Sequence, residues 1–227
     1  MNKTLQPVFK FLSELGQNNN REWFNQHKSE YESSYQLMIE FADALLNEMK
    51  KHDHIETVSG KRSLYRIYRD VRFSKNKLPY KTSWSGSFRR ATKSLRGGYY
   101  YHIEPGNSFI AGGFWGPNSN DLKHIRKQIE QDDQCVRSAI EAKEIKVFFG
   151  DLLGEQVKTA PKGFARDHPS IDLLRYKQFI LKHTFTDSQV LKKDFHLVMS
   201  DGFQRLRPFF NMMSEILTTD LNGISII

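Results

Sequence analysis

Cysteine is nearly absent from this sequence, since Cys135 is the only one among 227 residues. An internal disulfide is therefore excluded, and so is a metal site built from several thiolates. A single thiol in a chain of this size is typical of a reducing compartment, so we expect a cytoplasmic location. Cys135 lies in a predicted helix without an activating neighbour, and we interpret it as a passive residue.

Long apolar runs and familiar catalytic motifs are missing as well. No stretch approaches the roughly 20 apolar residues of a membrane-spanning helix, and the first residues lack the layout of a signal peptide. We find no Gly-x-x-x-x-Gly-Lys-Ser/Thr loop, no Gly-x-Gly-x-x-Gly, no Gly-x-Ser-x-Gly and no His-Glu-x-x-His. The sequence thus predicts no membrane partner, no cofactor and no metal, and it names no reaction.

Acidic residues are almost absent from residues 61–96. This stretch holds twelve Lys or Arg residues and one acid, Asp70, so its net charge is +11 in a chain whose total is +8. The rest of the chain is therefore slightly acidic. Aromatic side chains interleave the cations, which a merely solvated charged surface does not require; they are Tyr65, Tyr68, Phe73 and Tyr80. This composition favours recognition of an anionic ligand.

The periodicity of the chain predicts helices, then strands, then helices again. Apolar residues recur at helical spacing over residues 4–15 and from about residue 21 to residue 50, where they predict one long helix. Asn19, three residues before Glu22, is the expected cap of that helix. Segments of strand composition follow at residues 64–69, 84–90, 98–104, 108–115 and 178–185.

We therefore predict a single α+β domain that spans residues 1–227. Its antiparallel sheet of four to five strands is packed by the long N-terminal helix and by C-terminal helices, which are interrupted at Pro208. Alternation along the strand at residues 98–104 places Tyr100, His102 and Glu104 on the more polar face of the sheet.

The centre of the basic stretch is residues 65–81, which we expect to form a strand that gives way to a loop near Asp70. Such a loop can fold guanidinium groups over the polar sheet face, where they would hold phosphate or carboxylate with paired hydrogen bonds. Asp70 should stay ionised and orient one arginine, while Tyr80 would stack on the ligand or hydrogen-bond it. The predicted ligand-binding residues are Arg66, Arg69, Asp70, Arg72, Lys77, Tyr80 and Lys81.

Two other polar groups are candidates for a site. His102 and Glu104 share one face of a strand and can act as acid and base, although a structural hydrogen-bonded pair is the alternative. A second set lies in and just after the irregular region at residues 150–170 and consists of Lys162, Asp167, His168 and Arg175.

Residues 66–81 carry the run Arg-x-x-Arg-Asp-x-Arg-Phe-x-x-x-Lys-x-x-Tyr-Lys. With this run the sequence resembles the bacterial family designated domain of unknown function 2461. The similarity extends to residues 18–24, 100–106, 113–117 and 161–164. In one departure, the family pattern has Gly four residues after the last Lys, whereas this chain has Ser85 followed by Gly86. The resemblance implies no activity, so function has to be inferred from the residues.

Four hypotheses follow from these residues. The first is recognition of a small phosphate-bearing or other anionic ligand by residues 66–81. The second is nucleic-acid binding by the same cations as an exposed stripe with aromatic platforms. The third is an acid–base enzyme that uses His102 and Glu104, and the fourth is a purely structural ion-paired clamp. A pocket would bury several of the cations around one centre, whereas a stripe would leave them exposed. The sequence leaves the ligand and the oligomeric state open.

Overall fold

The structure is a computed structural model that describes residues 3–227. These residues form eleven helices and a four-stranded antiparallel sheet, which confirms the predicted α+β class. The strands are β1 (Trp84–Arg89), β2 (Gly98–Ile103), β3 (Ser108–Phe114) and β4 (Phe179–Phe185), and they lie in that order in the sheet. The helices are α1 (Gln6–Gln17), α2 (Arg21–Gln26), α3 (Lys28–Met49), α4 (Gly60–Ser63), α5 (Ser119–Gln131), α6 (Gln134–Glu141), α7 (Lys143–Phe149), α8 (Ile171–Leu174), α9 (Asp187–Val190), α10 (Phe195–Arg205) and α11 (Arg207–Thr218).

Four of the five predicted strands agree with the structure to within one residue at either end. The fifth, at residues 64–69, is not a strand. It forms only isolated antiparallel bridges, from Leu64 to Gly86 and from Tyr68 to Tyr80. The facing segment contains Pro79, which has no N–H to donate, so a continuous ladder cannot form there.

The chain divides into two compact units. Unit 1 comprises Met1–Phe88, Tyr100–Ile110 and Thr184–Asp201, and unit 2 comprises Arg89–Tyr99, Ala111–His183 and Gly202–Ile227. All four strands contribute residues to both units. That residues 1–227 form one domain stays a prediction.

Unit 1 has an aromatic core between α3 and β1. Trp84, at the start of β1, is 1% exposed, and its ring lies 5.9 Å from that of Tyr31 and 5.3 Å from that of Tyr35. The indole Nε1 donates a hydrogen bond to the buried Ser34 hydroxyl at 2.9 Å, which satisfies its polar atom. These contacts fix β1, and therefore the segment that leads into it, against the longest helix of the fold.

The long helix predicted at residues 21–50 is divided at His27, where φ is −108° and ψ is 29°. The His27 Nδ1 lies 2.8 Å from the carbonyl oxygen of Trp23, and the two rings stack with centroids 4.0 Å apart. A side chain that binds a nearby backbone carbonyl competes with the regular helix. The uninterrupted part, α3, is 22 residues long.

Unit 2 has a core around Tyr99 of β2. Its ring meets Phe203 of α10 and Phe210 of α11 edge-on, at centroid distances of 5.0 and 4.9 Å. The chain breaks between α10 and α11, and Pro208 lies in the first turn of α11, where its missing N–H has no helical partner to lose. The predicted interruption of the C-terminal helices is therefore confirmed. No helix among residues 3–227 has the length and apolar character needed to cross a membrane.

Candidate functional site

The basic motif forms an irregular antiparallel hairpin in unit 1. Its first limb lies opposite the segment that leads into β1, and three backbone hydrogen bonds of 2.9 Å join the two limbs. They run from the N–H groups of Tyr65, Arg69 and Lys81 to the carbonyl oxygens of Ser85, Pro79 and Ile67, respectively. The loop predicted near Asp70 occupies the tip of this hairpin, at residues 70–78.

Asn19 holds the second limb of the hairpin in place. Its side-chain Nδ2 donates to the Tyr80 carbonyl at 3.0 Å, and its Oδ1 accepts from the Tyr80 N–H at 3.1 Å. The expected cap role of Asn19 is wrong, because Asn20 caps α2 by accepting from the N–H of Trp23. Asn19 can bind Tyr80 in both directions because an amide side chain carries a donor and an acceptor.

Tyr80 is a core residue of unit 1. It is 6% exposed, and its ring stacks on Phe24 with centroids 4.0 Å apart. Burial raises the pKa of its phenol. Little of Tyr80 is therefore open to a ligand from solvent.

Side chains of the loop at residues 70–78 form hydrogen bonds mainly with other atoms of the same loop. Asp70 accepts two hydrogen bonds from the Arg72 guanidinium, at 3.0 and 2.7 Å, which confirms the expected pairing of Asp70 with an arginine. The hydrogen bond from Arg72 holds the pKa of the Asp70 carboxyl below its usual value. Lys77 donates to the Val71 carbonyl at 3.0 Å, and Arg69 donates to the Leu78 carbonyl at 3.1 Å. Three of the five predicted ligand-binding cations are thus engaged locally.

Arg66 and Lys81 differ from those three. Within the described residues neither side chain has a hydrogen bond or an ion pair. The Lys81 ammonium lies 5.8 Å from the centroid of the Tyr65 ring, at a distance typical of a cation–π contact. Lys81 is half-buried, and burial lowers the pKa of its ammonium, which the nearby Arg66 charge lowers further.

The polar face of β2 carries a chain of hydrogen bonds in unit 1. The Tyr100 hydroxyl lies 3.2 Å from the Nδ1 of His102, and the His102 Nε2 lies 3.0 Å from a carboxylate oxygen of Glu104. The alternation predicted for this strand is confirmed, because Tyr99, Tyr101 and Ile103 are buried on its other face. Tyr65 adjoins this chain, since its ring centroid lies 6.4 Å from that of Tyr100.

Glu104 is the best-anchored member of this chain. It accepts hydrogen bonds from Thr82 at 2.7 Å and from Asn107 at 2.8 Å, in addition to its contact with His102. Burial raises the pKa of the Glu104 carboxyl, but these hydrogen bonds outweigh burial, so that its pKa is lowered. Glu104 is therefore an anion at neutral pH, and its oxygens are directed at His102 and two fixed donors.

Tyr100 stands at the other end of the chain and is half-buried. Burial raises the pKa of its phenol, while a hydrogen bond from Ser85 acts in the opposite direction. Phe109 of β3 stacks on His102 with centroids 4.8 Å apart, which restricts rotation of the imidazole. The imidazole is thus held between a phenol and a carboxylate.

A family profile matches most of the chain. The profile of a family of conserved hypothetical proteins, DUF2461, matches residues 7–212. The chain belongs to the DUF2461 family. No curated protein and no solved structure gives a significant match to this DUF2461 protein.

Gly86 lies where the surrounding atoms leave no room for a side chain. A Cβ on Gly86 would lie 2.3 Å from the hydroxyl oxygen of Tyr101 and 2.7 Å from the carbonyl oxygen of Ser63. In this DUF2461 protein the backbone therefore needs glycine at residue 86.

The cations of the wider basic stretch are distributed over both units. Arg90 belongs to unit 2 and is 2% exposed. Its guanidinium donates to the Arg96 carbonyl at 3.0 Å and to the Asn211 side chain at 3.3 Å, and Arg96 is ion-paired with Asp121. These contacts give Arg90 and Arg96 structural partners in unit 2.

The second predicted set belongs to unit 2, whereas the hairpin belongs to unit 1. Arg175 donates to the Val157 carbonyl at 2.9 Å, and the His168 Nδ1 accepts from the N–H of Ser170 at 3.1 Å. Both contacts organise the local loop, while Lys162 and Asp167 are exposed. In the described part of the chain, no three His, Cys, Asp or Glu side chains are grouped so as to hold a metal ion.

The sequence alone did not identify Asn19, Tyr65 or Tyr100 as residues of the candidate site. A signal for Tyr100 was present, because it precedes His102 and Glu104 at the same two-residue spacing on a strand. Tyr65 was recognised only as an aromatic between cations. For Asn19 there was no local signal, since its partner Tyr80 is 61 residues away in the chain.

Proposed function

We propose that this protein binds a small anionic ligand, of the phosphate or carboxylate class, between Arg66 and Lys81. The observation that carries the proposal is a half-buried lysine with no carboxylate partner within residues 3–227. A cation withdrawn from water is usually paired, because desolvation penalises an isolated charge. A bound anion would supply the missing partner.

The chemistry of the two cations suits this ligand class. A guanidinium such as that of Arg66 offers two parallel N–H groups that match two oxygens of a phosphate or carboxylate, whereas an ammonium such as that of Lys81 adds a point charge. The Tyr65 ring, next to Lys81, gives the site an apolar wall. The proposal thus uses two of the five cations predicted from the sequence.

A second candidate function rests on the exposed loop at residues 70–78. Phe73 is 95% exposed, and the Arg72 guanidinium lies 5.9 Å from its ring centroid. Lys75 and Lys77 are also exposed on this loop. An exposed aromatic ring among cations is typical of proteins that bind single-stranded nucleic acid by stacking and charge.

The test compares variants that each lose one positive charge. Inorganic phosphate and glycerol 3-phosphate are titrated calorimetrically into the wild-type protein and into Arg66→Ala, Lys81→Ala, Lys75→Ala and Lys28→Ala, where the exposed Lys28 of α3 is the control outside the motif. We expect Arg66→Ala and Lys81→Ala to weaken binding about ten-fold or more. Lys75→Ala and Lys28→Ala should bind like the wild type.

Two results would contradict the anion site. Absence of any binding by the wild-type protein would refute it, as would equal losses in all four variants. For the second candidate, a fluorescent single-stranded oligonucleotide is titrated at two salt concentrations. Salt-sensitive binding that Phe73→Ala and Lys75→Ala weaken, and that Lys81→Ala leaves unchanged, would favour the nucleic-acid function over the anion site.

A further inference from the structure

The hydrogen bonds on β2 connect a phenol, an imidazole and a carboxylate and restrict where their protons lie. Glu104 is ionised and can only accept, so the hydrogen of the 3.0 Å contact belongs to the His102 Nε2. In the tautomer protonated at Nε2 alone, Nδ1 has a lone pair, and the Tyr100 phenol donates the hydrogen of the 3.2 Å contact. A hydroxyl, an imidazole and a carboxylate are thus linked in the order used when an imidazole withdraws a proton from a hydroxyl.

The phenol at the end of this chain lies near the proposed anion site. The Tyr65 ring adjoins both groups, since its centroid lies 5.8 Å from the Lys81 ammonium and 6.4 Å from the Tyr100 ring centroid. Thr82, the residue after Lys81, donates to Glu104 at 2.7 Å. The segment that carries Lys81 is therefore anchored to the same carboxylate as the imidazole.

We propose that Tyr100 is the proton-transfer residue of a catalytic site whose substrate is a small phosphorylated or carboxylated carbonyl compound. This inference rests on the proposed function, because the anionic group of the substrate would occupy Arg66 and Lys81. The carbon–hydrogen bond beside the carbonyl would face the Tyr100 hydroxyl. His102 and Glu104 are positioning residues that orient the phenol and receive its proton.

Every proton that moves in this step has a donor and an acceptor. The Tyr100 O–H bond breaks and its proton passes to the Nδ1 of His102, while the phenol oxygen takes the proton from the substrate carbon. The electron pair of the carbon–hydrogen bond moves into an enolate, whose negative charge the neighbouring Lys81 ammonium would stabilise. The imidazolium formed is paired with Glu104. Return of the protons restores the enzyme, and no oxidant or reductant is needed.

The chemistry of a phenol selects this class of substrate. A phenol is a much weaker acid than an imidazolium or a carboxylic acid. Its conjugate base is therefore a stronger base than an imidazole or a carboxylate, as removal of a proton from carbon requires. In a merely structural arrangement, Tyr100 would need no exposure to a ligand. Here Tyr100 is partly exposed and adjoins Tyr65, whose ring contacts Lys81, a cation without a carboxylate partner among residues 3–227.

The position of the imidazole proton is the first test. Ring ¹⁵N spectra of histidine-labelled protein at neutral pH, assigned with His102→Gln, distinguish the two neutral tautomers. We expect protonated Nε2 and unprotonated Nδ1 at His102, and a shift of the Nδ1 resonance in Tyr100→Phe. A proton on Nδ1 would overturn the proposal, because the imidazole could not accept the proton of Tyr100.

The second test measures proton transfer directly. Dihydroxyacetone phosphate is the carbon-acid probe, and glycerol 3-phosphate, which has the phosphate but no carbonyl group, is the matched control. Proton NMR in D₂O follows loss of the carbon-bound hydrogens. We expect exchange with the wild-type protein, a loss of about 100-fold or more in Tyr100→Phe, and unchanged affinity of that variant for glycerol 3-phosphate. Lys28→Ala should exchange like the wild type.

The outcomes separate this inference from the anion site. Binding of both phosphates without exchange by the wild-type protein would overturn the catalytic proposal and leave the anion site intact. Exchange at the wild-type rate by Tyr100→Phe would also overturn it. If neither phosphate binds, the anion site itself fails and the catalytic proposal falls with it. Exchange that is lost in Tyr100→Phe while binding persists would establish Tyr100 as the catalytic residue.

Discussion

Substitution of Asn19 by Ala removes both hydrogen bonds that hold the Tyr80 backbone. The lost bonds measure 3.0 and 3.1 Å and are partly buried. Each such bond contributes about 0.5–1.5 kcal/mol, so Asn19→Ala should lower the free energy of unfolding by about 1–3 kcal/mol. Some of the loss would be recovered if water reached the freed N–H and carbonyl groups, which places the expected value towards the lower half of that range.

Urea denaturation followed by tryptophan fluorescence measures this loss. Asn18→Ala is the matched control, because the Asn18 side chain makes only an exposed contact with the Glu14 carbonyl. We expect the control to lose about 0.5 kcal/mol or less, as exposed substitutions usually do. Equal stability of Asn19→Ala and Asn18→Ala would refute the interpretation of Asn19 as an anchor of the motif.

Two further predictions concern the sheet beneath the motif. Gly86→Ala should lower the free energy of unfolding by about 1–3 kcal/mol, because the added methyl group collides with Tyr101. Gly116 has open space around it, so Gly116→Ala should leave the free energy of unfolding nearly unchanged in the same denaturation assay. Glu104 has a lowered pKa in the folded protein, so its contribution to stability should be present above pH 4.5, its ordinary pKa, and lost as the pH falls through the folded value. Thermal melts from pH 7 to pH 3 should show a shallower acid decline in Glu104→Gln, and an identical decline would contradict the hydrogen-bond assignment.

Much of the fold could be predicted because local patterns determine it. The two-residue alternation of β2 identified its buried face, and the strand compositions located all four strands. Two features of the fold, a break in the predicted long helix and a missing strand, arise from contacts that sequence periodicity does not record. The side chain of His27 takes part in a backbone contact that interrupts the helix, and Pro79 leaves the limb at residues 64–69 with isolated bridges instead of a strand.

The site was harder to predict because charge alone does not reveal a partner. The sequence grouped five cations, but the partners of Arg69, Arg72 and Lys77 depend on how the loop folds back on itself. Tyr80 is buried in the core of unit 1, although the composition of the basic stretch suggested that its ring binds the ligand. The association of Lys81 with Tyr65 crosses the hairpin, and no short motif encodes it.

The self-contained loop at residues 70–78 has an evolutionary consequence. The side-chain hydrogen bonds of Asp70, Arg72 and Lys77 all end on atoms within the same loop. A change of sequence at its exposed positions, such as Phe73, would therefore remove no support from the helices or the sheet. Selection can diversify this loop while the neighbouring hairpin limbs, tied to Asn19 and β1, preserve the geometry of Arg66 and Lys81. The loop and the limbs that carry it can thus evolve at different rates.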